Sequence, residues 1–275
     1  MSFDLRKADM DTATRSPTRT VAAGPAPAGR AFGVHHGIAI TIEGLWGAGK
    51  STAAHELGQR LSGHGFRTQL LHYGPRHGVI AHLSELLDGA PLRHRHGAGG
   101  YSAPHHAVVD VLLRWCRQAY HHQHDYRPAL TGHDVVIIDH GLYTALAYAL
   151  TVLGEHPPQA CGLGADAAPE AMMERLLACV RPWFLHPHRA FFLDVPWPLA
   201  RERAIERGYG GGDAASIERL QFLPRFDAAY RQVCASLPER ITRVPVGLRS
   251  VEEVVADIEH EVLTLLQVPE GADRV

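Results

Sequence analysis

Apolar residues along this chain fall into short β-branched blocks separated by stretches of helical spacing. Gly37-Ile38-Ala39-Ile40-Thr41-Ile42-Glu43 is one such block; it ends at a glycine-rich segment and reads as a buried strand. From Ser51 to Leu61, the residues Ala53, Ala54, Leu57 and Leu61 recur at helical spacing, and Ser62-Gly63-His64-Gly65 closes the run. Further strands are expected at Thr68–His72, Val135–Asp139, Ala190–Val195 and Ile241–Val246. Helices are expected at Val108–Tyr120 and Pro169–Val180, the latter opening on a proline suited to a first helical position. Ser250 and Glu253 have the spacing of a capping box, and Val251, Val254, Val255, Ile258, Val262 and Leu265 then form one apolar face. Alternating strands and helices predict an α/β fold: a mostly parallel sheet with helices on both faces.

Residues 1–34 are rich in Thr, Ala, Pro and Gly without sustained periodicity, so a disordered leader is expected there. The leader has no apolar core segment of the kind a secretory signal needs. Residues 35–268 read as one domain and 269–275 as a short tail; no internal repeat is evident. A hydrophobic content of 45%, a charged content of 20% and a net charge of −2 describe a soluble globular protein. With a pI near 6.9 there is no global field to hold nucleic acid or an anionic membrane. No apolar run reaches the roughly 20 residues that span a bilayer. Cys116, Cys161, Cys179 and Cys234 are far apart in sequence and form no C-x-x-C pair, which suits a reducing cytosol and a cytoplasmic protein. The histidine groups His94 and His96, His105 and His106, and His121, His122 and His124 lack cysteine or carboxylate partners at ligand spacing. They are read as solvated or substrate-loop residues.

Among 27 basic residues only Lys7 and Lys50 are lysines. Lys50 stands in Gly44-Leu45-Trp46-Gly47-Ala48-Gly49-Lys50-Ser51, which satisfies G-x-x-x-x-G-K-S/T at every fixed position. A compact ammonium reaches phosphate oxygens over a tight loop, where a planar guanidinium is wide and differently oriented. Strand, glycine loop and helix follow in the order this motif requires. Backbone N–H groups near residues 47 to 50, with the positive end of the following helix, are expected to surround the phosphates of a nucleotide. Gly44, Leu45, Trp46, Gly47, Ala48, Gly49, Lys50, Ser51 and Thr52 are therefore the expected ATP-binding residues. Lys50 is expected to bridge the β- and γ-phosphates, and Ser51 to offer its hydroxyl to Mg²⁺.

Asp139 ends the apolar block Val135-Val136-Ile137-Ile138, so a buried strand delivers its carboxylate to the edge where the phosphates lie; it is the second expected metal residue. Arg201, Arg203 and Arg207 precede Gly208-Tyr209-Gly210-Gly211-Gly212. The spacing of four puts Arg203 and Arg207 on one helical face, next to a glycine tip suited to a closing lid. Both are assigned, with Lys50, to stabilising the moving phosphoryl group.

The segment Ile42 to Thr52 resembles the I-E-G-x-D-G-x-G-K-S/T-T of the thymidylate kinase family, with Trp46 where the family has Asp. Arg127-Pro128-Ala129-Leu130, Gly132 and Val135 to Asp139 are similar to its P-A-L-x-x-G-x-x-V-I-x-D segment. Phe192-Leu193-Asp194-Val195-Pro196, with Ala200, Arg203, Arg207 and Gly208, looks like its lid entry; Ile217-Glu218 and Phe226 to Tyr230 continue the pattern. The resemblance implies a P-loop kinase fold: a five-stranded parallel sheet with helices on both faces and an Arg-containing lid. It also implies Mg²⁺ with ATP as phosphoryl donor and a nucleoside monophosphate, by family default thymidylate, as acceptor. Family members often dimerise through helices, so a homodimer is an expectation that no stretch of sequence specifies.

The acceptor side departs from the family pattern. Asp139-His140-Gly141 stands where the family has D-R-Y/H, and Cys116-Arg117-Gln118-Ala119-Tyr120-His121 stands where it reads A-D-R-A-Q-H. His72-Tyr73-Gly74-Pro75-Arg76-His77 replaces R-E-P-G-G. Loss of a bidentate phosphate clamp costs several kcal/mol unless Arg76, Arg117 or a histidine compensates. Arg76, Arg117, His140 and Tyr148 are the acceptor-binding candidates. Two other readings stay open at this point. One is a kinase for a hydroxyl acceptor such as a nucleoside or antibiotic, with Glu43 or Asp139 as base; the other is a nucleotide-binding regulatory protein with little turnover.

Overall fold

Strands β1 (Ile38–Glu43), β2 (Thr68–His72), β3 (Val135–Asp139), β4 (Arg189–Asp194) and β5 (Ile241–Pro245) pair in the order β2-β3-β1-β4-β5, every pairing parallel. The computed structural model describes residues 37–72, 80–83, 107–155, 168–209 and 214–267. The expected leader, the tail, Arg76, the histidines from 94 to 106 and the glycine tip at 210–212 lie outside them. The α-helices are α1 (Lys50–Gly63), α2 (Ala107–His121), α3 (Arg127–Gly132), α4 (Leu142–Glu155), α5 (Pro169–Val180), α6 (Trp197–Ala204), α7 (Ala214–Ser236) and α8 (Val251–Gln267).

Alternation along the central strands explains the layers. Ile38, Ile40, Ile42, Val135 and Ile137 join the larger core, together with Ala53, Ala54, Leu57 and Leu61 of α1 and Val255, Ile258 and Val262 of α8. Ala39, Val136 and Ile138 point the other way and pack with Tyr126 and Leu130. A strand buried on both faces needs apolar residues at every position, which is why β1 and β3 read as continuous blocks.

The capping box forms as its spacing predicts: Ser250 N–H donates to Glu253 Oε2 at 2.8 Å and Glu253 N–H donates to Ser250 Oγ at 3.2 Å. The histidine group at 121–124 has local partners. His121 Nδ1 lies 2.7 Å from Asp125 Oδ2, and the His124 ring lies 4.3 Å from that of Tyr120. His122 Nδ1 accepts the Leu185 N–H at 2.7 Å; burial drops its pKa to about 3, so it is a neutral part of the core.

β1 lies between β3 and β4; the connection from β1 runs toward β2 on one side and that from its neighbour β4 toward β5 on the other. The carboxyl end of β1 therefore opens into the crevice where this topology binds ligands. In the strand register Asp139 lies opposite Ile42 on one side and His72 on the other, so those residues share one edge of the sheet.

Ile137 is fully buried at the centre of β3, and its Cδ1 lies against the glycine face of α1 at Gly58. Ile137→Ala is expected to cost about 2–5 kcal/mol of unfolding free energy. Urea denaturation measures it, and a loss below about 1 kcal/mol would contradict the close packing of α1 on β3.

Candidate active site

Three glycines let the loop between β1 and α1 curl. Gly44, Gly47 and Gly49 have φ of 141°, 82° and 91°, a region that residues with a Cβ rarely adopt. Gly47 is constrained twice, because a Cβ there would lie 2.1 Å from the carbonyl oxygen of Ala200 in α6. The loop thus rests directly on the helix that carries Arg201 and Arg203.

Lys50 is 5% exposed, and its ammonium donates to the Leu45 carbonyl at 2.8 Å across the loop. Burial lowers its pKa to about 8; Asp139 and Glu43 oppose that shift and Arg207 adds to it. The positive charge of Arg207 is therefore felt at the lysine. Ser51 Oγ donates to Asp139 Oδ2 at 2.6 Å, bringing the two expected metal residues together. Such hard oxygen donors, at a helix N-terminus facing phosphates, suit Mg²⁺.

Asp139 is ringed by donors. His72 Nδ1 lies 3.2 Å from Oδ2 and His140 Nδ1 lies 3.0 Å from Oδ1. Burial alone would raise the pKa of this carboxyl, but the two imidazoles and the Lys50 charge outweigh it and hold it far below the usual carboxylate range. His140 has a left-handed φ of 68°, which turns its ring back on Asp139. Burial and the Lys50 charge lower the His140 pKa, and the contact with Asp139 opposes that shift. Sequence reasoning put His140 on the acceptor; the structure sets it against Asp139.

Glu43 is wholly buried beside this cluster. Its Oε2 accepts from the Thr144 N–H at 2.9 Å, the Thr144 hydroxyl at 2.5 Å and the Tyr230 hydroxyl at 3.3 Å. The Gly44 N–H reaches the same Tyr230 oxygen at 3.4 Å. Gly141 makes this possible: a Cβ there would lie 2.4 Å from Thr41 Cγ2 and 2.5 Å from Glu43 Oε1. Its glycine lets the start of α4 approach β1, a close fit that the sequence alone did not signal. Thr144, Tyr230 and His72 were likewise missed, because no local motif marks a hydrogen-bond partner from a distant strand or helix.

Of the acceptor candidates, Arg117 lies on α2 and Tyr148 on α4. The Tyr148 hydroxyl donates to Asp110 Oδ2 at 2.9 Å, while Arg114 pairs with the same carboxylate at 3.1 Å and covers the Tyr148 ring at 4.5 Å. Arg117 is 2% exposed; burial lowers its pKa to about 10, against the favourable influence of Tyr148 and Tyr126, so it keeps its charge at pH 7. Its neighbour Gln118 is equally buried. Arg203 and Arg207, the arginines expected in a lid, have different surroundings. α6 ends at Ala204 and Ile205–Tyr209 continues as a wider π-type turn with Gly208 at φ 90°. Arg203 donates to the Gly247 carbonyl at 3.2 Å, and Arg207 is the one whose charge is sensed at Lys50.

No protein-family model matches the sequence. Thymidylate kinase of Alkalilimnicola ehrlichii is 30% identical over 227 residues, covering 80% of this chain and 90% of that protein. Thymidylate kinase of Bordetella petrii is 32% identical over 230 residues, covering 84% and 97%. A solved structure of thymidylate kinase from Candida albicans superposes with a TM-score of 0.60 over 83% of this chain and 92% of that one, at 18% identity. That likeness extends to the fold.

Two outcomes follow from the loop geometry. Gly47→Ala must push α6 away and strain φ, so ATP affinity measured by calorimetry is expected to fall by at least ten-fold; unchanged affinity would refute the loop–helix contact. Lys50 is charged below its pKa of about 8 and neutral above it. ATP binding is accordingly expected to weaken as pH rises from 7 to 9, with proton uptake on binding near pH 8–9, read by calorimetry in buffers of different ionisation enthalpy.

Proposed function

The chain belongs to the thymidylate kinase family, and from that premise we propose that it transfers the γ-phosphoryl group of ATP to thymidine monophosphate, yielding thymidine diphosphate and ADP. The observation that carries this reading is the convergence of Lys50, Ser51 and Asp139 beneath a glycine loop at the carboxyl edge of β1. Amides of residues 47 to 50 hold the triphosphate, and Lys50 neutralises charge on its outer phosphates. Ser51 and Asp139 would hold Mg²⁺, which supplies further neutralisation of phosphate charge when bound. Arg207 adds positive charge beside the transferring group, and Arg203 orients the helix that delivers it.

The phosphate of the acceptor attacks the γ-phosphorus directly, the bond to the β–γ bridging oxygen breaks, and ADP leaves. A phosphate dianion is already a nucleophile, so no general base is needed. Asp139 suits that chemistry: a carboxylate held this far below its ordinary pKa is a poor base for a hydroxyl acceptor. Arg117 is the described cation we assign to the acceptor phosphate, with Tyr148 and the Asp110–Arg114 pair forming the adjoining wall. Arg76 remains a second candidate by sequence. The catalytic unit in this reading is residues 35–268, acting in the cytoplasm, with a second copy as partner. Among the described residues no helix is long and apolar enough to cross a membrane.

Coupled measurement of ADP release tests the reading. Mg-ATP with thymidine monophosphate should release ADP, and Lys50→Ala should lower that rate by at least 10³-fold while leaving the thermal midpoint within a few degrees. Release with nucleosides or aminoglycosides but not with thymidine monophosphate would overturn it.

A further inference from the structure

Trp46 sits at the crest of the phosphate loop and is half-buried. An indole carries no charge and only an N–H donor, so it cannot replace a carboxylate in function. Its ring lies 5.9 Å from that of Phe222 and 5.6 Å from that of Phe226, both buried on α7. Each of those rings leads further into the site. Phe222 meets Tyr148 of α4 at 5.8 Å, and Tyr148 is fastened to Asp110 of α2. Phe226 meets Tyr230 at 5.0 Å, and the Tyr230 oxygen receives the N–H of Gly44, the first residue of the loop. Gly47, directly after Trp46, backs onto Ala200 of α6. The loop is thereby held at Gly44 and Trp46 by α7 and at Gly47 by α6.

Resting on the kinase reading above, we propose that Trp46 is a positioning residue. Its ring contacts fix the phosphate loop against α7 and, through Phe222, against Tyr148 on the acceptor side. Donor and acceptor phosphates are then held at one separation by a continuous run of packed rings. Aromatic pairs of this spacing are directional, so aliphatic bulk alone does not reproduce the constraint. Transfer between two bound phosphates is steep in distance, and a misplacement of about 1 Å costs on the order of 10²-fold. Binding of ATP, held by loop amides and Lys50, is less steep in that separation.

The test compares Trp46→Phe and Trp46→Leu, both of which keep apolar bulk against α7 and therefore the fold. The Leu variant is expected to lose at least ten-fold in kcat for transfer to thymidine monophosphate. Trp46 lies in the ATP-binding loop, so the calorimetric ATP affinity of this variant should fall too, but by at least three-fold less than kcat does. Its slow hydrolysis of ATP to water should also fall less than transfer does. The Phe variant should keep transfer within about three-fold of the unaltered chain. Phe222→Leu should cost transfer in the same way, and Trp46→Leu with Phe222→Leu together should be less than multiplicative. Equal transfer by the Leu variant and the unaltered chain overturns the proposal alone. So does a parallel fall of transfer, hydrolysis and ATP affinity, or a Phe variant no better than the Leu one. Absence of transfer by the unaltered chain overturns the kinase reading, and the proposal with it.

Discussion

A buried ammonium at the start of α1 is the constraint around which the site is arranged. Removing the Lys50 charge from water is costly, and the lowered pKa records that cost. Asp139 and Glu43 offset it, and they reach the lysine because β3 and β1 lie side by side with their carboxyl ends at one edge. The all-parallel pairing is thus what makes the cationic loop tolerable. A charge kept partly uncompensated in a dry crevice is also one that gains by meeting phosphate oxygens.

The carboxylates are in turn held by groups from three layers of the fold. Asp139 has Ser51 from α1, His72 from the neighbouring strand and His140 from the turn that follows. Glu43 has Thr144 from α4 and Tyr230 from α7. Each donor restricts the rotation of its carboxylate, so the crevice presents carboxylate oxygens in fixed positions. The Asp139-His140-Gly141 sequence takes its sense from this arrangement. The histidine's left-handed backbone turns its ring onto Asp139, and the glycine that follows admits α4 close to β1. The departure that looked like a lost arginine is a local rebuilding at the carboxyl end of β3.

The legible parts of the sequence were those whose determinants are contiguous. The strands β1 and β3, the loop from Gly44 to Ser51 and the cap at Ser250 each depend on residues within a few positions, where period and spacing carry physical meaning. The lid arginines were legible only as residues. Their surroundings were not: Arg203 donates to the Gly247 carbonyl, while the charge of Arg207 reaches Lys50. Tyr148 was identified as an acceptor residue without any sign that Asp110 and Arg114 would hold it.

Sequence alone determined the class of fold, the phosphate loop and the lysine in it, because hydrophobic period and a contiguous motif encode them directly. Tertiary structure decided what surrounds them: His72 meets Asp139 across 67 positions through strand register, and Trp46 meets α7 through helix packing. Those contacts arise from which faces are buried together, and burial is a property of the folded chain that no local run of residues contains.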